Sequence, residues 1–263
     1  MQKRSSIFWG LLFIILAALL LLSQQKILKG NIWEYFWPAA LILVGLWMIT
    51  GYFFRGQMQP PDNVVLSLGS ARSVSFTLDH GAGKLNLHAG ASAGNALTGA
   101  CRGGLDVKSE SIGDRLQVKL RTPSQFWEWS PGTGLDWDLS LTNEVPLTLK
   151  INSGASASVF DLSDLLVTEL KLETGASSTQ ITMPARAGST LADIEAGVSS
   201  LKMTIPTGVA ARIRVKSGLA SVHVNATRFP RTDGDVYQSA DYATASNRAD
   251  ITIEAGIGTV EIN

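Results

Sequence analysis

Two apolar runs open the chain, Ile7 to Leu22 and Phe36 to Phe54, and neither contains a charged side chain. Runs of this length approach the ~20 residues a helix needs to cross a bilayer, and neither shows the polar face of a soluble amphipathic helix. The spacing predicts two spanning helices, over about 7–23 and 36–54, making residues 1–56 a transmembrane hairpin. Trp33, Tyr35 and Trp37 at one end of the second run, and Tyr52 to Phe54 at the other, fall where interfacial aromatics sit. Lys3 and Arg4 ahead of the first run also suit a secretion signal, but the flank "LLSQQKILKG" offers no small-x-small cleavage site.

Beyond a short linker at 57–62, stiffened by Pro60 and Pro61, the pattern changes period. Apolar and polar residues now alternate in short segments, as in "LKLET", "DIEA", "RIRVKS" and "DITIEA", and each segment runs into a glycine. Gly154, Gly175, Gly197, Gly218 and Gly256 each begin a small-residue turn followed by a second alternating strand. The first four are 21, 22 and 21 residues apart, and an insertion at 225–250 widens the last interval to 38. A less regular copy begins at Gly81.

A unit of 21–22 residues made of strand, glycine corner and strand predicts one coil of a parallel β-solenoid filling residues 63–263. An antiparallel β-sandwich also accommodates strands at such intervals. In the solenoid, Leu170, Leu172, Ile181, Met183, Ile194, Leu201, Met203, Ile205, Ile213, Val215, Val222, Val224, Ile251, Ile253, Val260 and Ile262 form the interior stack. Residues 63–122 read as a less regular beginning, 123–146 as a Trp-rich loop region and 147–263 as regular coils. The sequence ends at Asn263 directly after the strand "TVEI", so a last rung with an open edge is expected there, with the insertion folding over it.

Charge changes the picture in one respect. Lys+Arg and Asp+Glu balance at 22 each, which gives no basic footprint for nucleic acid. Around the hairpin, Lys3, Arg4 and Arg55 outnumber Lys26 and Lys29, so the positive-inside rule places the β body on the cytoplasmic side of the membrane. The single cysteine, Cys101, excludes an internal disulfide and any Cys-based zinc site.

Candidate chemistry is sparse. "GASS" at Gly175 lacks the glycine that a nucleophile elbow would need at Thr179, and no segment carries the Gly-Lys-Ser/Thr of a phosphate loop. Its serines read as turn residues bonding nearby backbone. Asp79 beside His80 resembles half a proton relay, yet His80, His88 and His223 have no ligand spacing and read as strand-end histidines, His223 outward. "DLSDLL" at Asp161 and "DGD" at Asp233 read as turn and cap residues rather than calcium ligands. No catalytic, cofactor or metal site is expected. The interaction candidates are Phe126, Trp127, Trp129 and Trp137, either an exposed contact site or a lid on the solenoid.

"FWPAALILVGLWMI" resembles the LiaI/LiaF-like transmembrane region. "WDLSLTNEVPLTLKINSGASASVFDLSDLLVTELKLETGASSTQITMP" and the closing "YQSADYATASNRADITIEAGIGTVEI" resemble LiaF-like envelope stress proteins and their toast-rack relatives. The resemblance implies a bacterial membrane protein with a β-solenoid domain, from a group that includes regulators restraining a sensor histidine kinase. Two spans are present where LiaF itself is expected to have four. The function expected is a non-enzymatic membrane regulator that binds the bilayer and a sensor kinase or other envelope protein; the alternative is an adhesin-like envelope scaffold.

Overall fold

The structure, a computed structural model, describes residues 61–123 and 135–263. The predicted hairpin and the segment carrying Phe126, Trp127 and Trp129 lie outside these residues.

Six long strands share one design. They are β2 (Ser73–Ala89), β7 (Leu147–Asp161), β8 (Val167–Thr182), β9 (Ser189–Thr204), β10 (Ala210–Val224) and β13 (Arg248–Ile262). Each consists of two alternating arms joined at a glycine. In β7, Leu147, Leu149, Ile151 and Ser153 point inward, Gly154 and Ala155 both point out, and Ser156, Ser158 and Phe160 point inward again. Two successive outward residues flip the parity, so both arms direct their apolar faces into the same wedge. The same flip occurs at Gly175–Ala176, Gly197–Val198 and Gly256–Ile257.

The long strands pair in parallel, each arm in register with the next, which excludes the antiparallel sandwich. Near the apex the arms leave room only for small inward residues. Ser153, Thr174, Ala196 and Ala255 occupy that layer before the glycines, and Ser156, Ser177 and Ser199 occupy it after them. Ser156, Ser177 and Ser199 therefore belong to the inner face of the second arm, whereas Ser178 and Ser200 face outward. Farther from the apex the wedge widens and takes Leu, Ile, Met and Phe. Each such side chain, once buried, contributes about 1.5–3 kcal/mol. The predicted interior stack is buried throughout except at Val222 and Val224, which are half-buried.

The order of the rungs departs from the order of the sequence. The stack runs β2, β7, β8, β9, β13, β10, so the C-terminal strand is inserted between β9 and β10. Ile253 lies beside Ile194 on one side and Val215 on the other. The expected open edge at the chain end is thus absent: β13 is paired along both sides. The intervening segment folds over the first arm of β10 instead. There β11 (Arg231–Asp233) and β12 (Val236–Gln238) form a short hairpin, β12 pairing antiparallel with Arg212–Arg214. Phe229 is fully buried, and Arg228 donates to the carbonyls of Ile205 and Pro206.

At the other end the rung beyond β2 is split. β5 (Arg115–Arg121) pairs with its first arm and β6 (Leu135–Leu141) with its second. β4 (Asp106–Ile112) borders β5, while β3 (Asn95–Cys101) and β1 (Asp62–Ser67) extend the sheet beyond β6. The expected Trp-rich loop region 123–146 therefore contains a strand. Among the described residues there is no helix.

Candidate functional site: the glycine corner and its groove

The corner glycines are stacked, in the order Gly81, Gly154, Gly175, Gly197, Gly256, Gly218, at about 4.8 Å per rung. Five of them are glycine because of crowding. A Cβ on Gly154 would stand 2.5 Å from the carbonyl oxygen of Gly81, and one on Gly256 would stand 2.6 Å from that of Gly197. The corresponding distances are 2.8 Å at Gly197, 2.9 Å at Gly175 and 3.0 Å at Gly218. None of these five has a positive φ, so conformational freedom is not the reason. Gly258 is different: its φ of 133° and the Ser199 carbonyl 1.8 Å from a would-be Cβ both demand glycine.

Along this row the surface forms an open groove of about 910 Å³ that crosses all six long strands. Six rungs at strand spacing make it about 24 Å long. Two positions before each glycine, an outward residue borders it: Asp79, Asn152, Glu173, Glu195, Glu254 and Lys216 in stack order. Three glutamates thus occupy adjacent rungs, an arrangement that repels. Lys171 pairs with Glu173 at 3.0 Å and Lys216 with Glu254 at 2.8 Å. Among the described residues the central Glu195 has no ion-pair partner.

Asp79 and His80 meet the groove at its β2 end, but strand alternation turns them to opposite faces, which removes the relay that their adjacency suggests. Asp79 faces outward. Burial works against its charge, yet hydrogen bonds from Asn152 Nδ2 at 2.7 Å and Arg121 Nε at 3.0 Å, with Lys119 nearby, outweigh that and hold its carboxyl below the usual value. His80 faces inward, 2 % exposed, edge-on to Trp137 with ring centroids 5.0 Å apart. Its Nε2–H donates to the Leu135 carbonyl at 2.9 Å, which leaves Nδ1 as a buried acceptor without a partner among the described residues. Burial lowers its pKa more than the Leu135 carbonyl and Asp136 raise it. A histidine fits this crowded layer because Gly83 occupies the matching position after the corner, where a Cβ would meet that same carbonyl oxygen at 2.3 Å.

His88 behaves oppositely. Its Nδ1 lies 2.8 Å from the Ala89 carbonyl and its Nε2 lies 2.9 Å from Asp138 Oδ1, so both ring nitrogens face acceptors. The Ala89 carbonyl, and after it Asp138, raise its pKa against the opposing effect of burial. His80 stabilises the fold while neutral; that contribution is lost as pH falls below the unfolded value near 6.5 toward its depressed folded pKa. His88 stabilises while charged; its contribution is full below about 6.5 and is lost as pH rises through its raised folded pKa. The two oppose each other, so His88→Gln is expected to make the melting temperature fall more steeply than in the parent between pH 7.5 and 5. Parallel melting curves across that range would contradict the assignment.

Trp137, grouped with the Trp-rich segment in the sequence, is 1 % exposed on β6 and belongs to the core, so it offers no contact surface. Asp161 accepts from the Ser163 N–H and hydroxyl in a turn, Asp235 pairs with Arg231 in the β11–β12 hairpin, and His223 is exposed on β10. Cys101 is buried, and burial pushes its thiol up to about 12. Among the described residues no group of three or more His, Cys, Asp or Glu could hold a metal ion.

The family comparisons agree with this architecture. Residues 7–49 match the LiaI-LiaF-like transmembrane region, and residues 55–204 match the N-terminal domain of toast_rack. No curated protein matches the chain. A solved structure from Clostridium sporogenes, described as a candidate cell adhesion protein, superposes with a TM-score of 0.71 at 20 % identity, over 78 % of this chain and 99 % of that one. At that identity the likeness concerns the fold alone. The first four long strands of the glycine-cornered stack, β2 and β7 to β9, lie within the toast-rack match, and the chain belongs to the toast-rack family, with a LiaI-LiaF-like transmembrane region ahead of that domain.

Proposed function

We propose that this membrane-associated envelope protein is a non-enzymatic regulator that restrains a membrane sensor kinase by binding it, with its β body on the cytoplasmic side. The observation that carries the binding role is the corner groove: a rigid trough bordered by like charges on adjacent rungs, with Glu195 unpaired among the described residues. A glutamate ladder costs the fold some stability, and a basic extended segment laid along it would relieve that repulsion. The positive-inside count supports the cytoplasmic placement, and the transmembrane match supplies the anchor.

The test is a photo-crosslinking residue at the exposed corner position Ala176 of the full chain in its native membrane, with Glu195→Gln added to the same chain as the companion variant. The proposal expects a histidine kinase in the crosslinked product. It also expects Glu195→Gln to weaken that capture while raising the melting temperature slightly. Capture of no kinase, or unchanged capture by Glu195→Gln, contradicts it. The second reading, an outward-facing scaffold, draws on the cell-adhesion description of the Clostridium sporogenes protein. Protease cleavage of the body in intact cells would favour it over the first.

A further inference from the structure

The described sheet has four open margins, and three are blunted. β4 carries Asp106, Lys108 and Glu110. β11 is three residues long and carries Arg231 and Asp233. β1 begins at Asp62 and has a register shift between Leu66 and Ser67. These are the usual devices against edge-to-edge pairing.

The fourth margin has none of them. The outer edge of the second arm of β10, Leu219–Val224, is paired by no described strand, because β12 covers only Arg212–Arg214. This arm, "LASVHV", has no Lys, Arg, Asp, Glu or Pro, and it keeps regular register with β13. Val222 and Val224 are half-buried, whereas Val260 and Ile262 beside them on β13 are 0 % exposed. Among the described residues the core of the wedge is therefore uncovered at this end. The outward corner residues also enlarge toward it, from Ala176 to Val198, Ile257 and Leu219, the last 81 % exposed.

We propose that a second copy of this chain covers the margin, its own Leu219–Val224 arm lying antiparallel to the first across a two-fold axis at Val222. An isologous contact needs a strand complementary to itself. In this register Ala220 faces Val224 and Ser221 faces His223, inward residues meet inward residues, and no like charges oppose each other. The two uncovered valine rows then continue one core. A charged partner strand finds no counter-charge on this arm. Head-to-tail stacking would need the margin at β1, with its register shift and Asp62. The contact is small for a soluble dimer, but copies anchored in one bilayer meet at high effective concentration.

The test uses the full chain reconstituted in lipid vesicles. Ser221→Cys is treated with a short bismaleimide, Lys108→Cys on β4 serves as control, and the buried Cys101 remains in place. The proposal expects covalent dimer from the first and none from the second. Ser221→Lys with His223→Lys sets lysine opposite lysine twice on exposed positions. This should weaken association about tenfold, read as energy transfer between labelled copies in the same vesicles, with the melting curve unchanged. A monomeric parent, equal crosslinking at both cysteines, or a dimer that persists in the double-lysine chain overturns the proposal. If the double-lysine chain does not fold, the cysteine pair decides.

Discussion

Gly256→Ala is expected to lower the unfolding free energy by about 2 kcal/mol, and the melting temperature by roughly 4–8 °C for a body of this size. The added methyl would sit 2.6 Å from the Gly197 carbonyl oxygen, and β13 cannot yield because β9 and β10 hold it on both sides. Alanine suits the backbone of Gly256, whose φ is not positive, so the loss reports crowding between rungs rather than backbone strain. The ladder predicts a graded series. Gly154→Ala should cost as much as Gly256→Ala, since its would-be Cβ lies 2.5 Å from the nearest carbonyl oxygen. Gly175→Ala should cost less and Gly218→Ala least, with 3.0 Å and an outer edge that no described strand pairs. Chemical denaturation of the four variants checks the ranking. Equal losses at Gly218 and Gly256 would remove crowding as the cause.

Val260→Pro is expected to abolish cooperative folding of the body. Val260 is fully buried and lies between Leu201 on β9 and Val222 on β10. Proline there removes a ladder donor in a central strand and fills a packed site with a ring of different shape. The mid-element cost of proline is about 3 kcal/mol or more, before any loss of packing. Were β13 the last rung, as chain order suggests, its outer side would be free and proline would be largely tolerated. Loss of the near-ultraviolet circular dichroism signal and of a sigmoidal melt is the expected outcome; a folded, less associated protein would contradict the strand order.

How far the sequence carries can be followed residue by residue. The glycine interval and the alternation around it identify the corners and almost all of the interior, because period-two burial is a local property that the chain writes directly. The identity of each rung's neighbour is not local. β10 and β13 present the same alternation around a glycine, and the 23 residues between Val224 and Arg248 are long enough to return the chain to either side of β10. Nothing in "DITIEAGIGTVEI" alone says that it will be paired along both edges.

Two other features had readable signals. Trp137 sits in "LDWDLSL" at an inward position between Leu135 and Leu139, so its alternation marked it as core despite its proximity to Trp127 and Trp129. The serines after each glycine looked like turn residues, but two outward positions in succession at Gly154–Ala155 shift the parity and carry Ser156 inward. The groove was less legible. Its bordering glutamates lie 22 and 59 residues apart and come into adjacent rungs only through the strand order.

The strand order is the claim on which the ladder, the groove and the open β10 margin all depend, and paired cysteines test it directly. Ser200 on β9 and Thr259 on β13 are exposed register partners, whereas Ser221 on β10 lies one rung farther away. In the full chain the account predicts rapid oxidative disulfide formation for Ser200→Cys with Thr259→Cys and none within one chain for Ser200→Cys with Ser221→Cys. A disulfide between positions 200 and 221 within one chain, with none between 200 and 259, would contradict it.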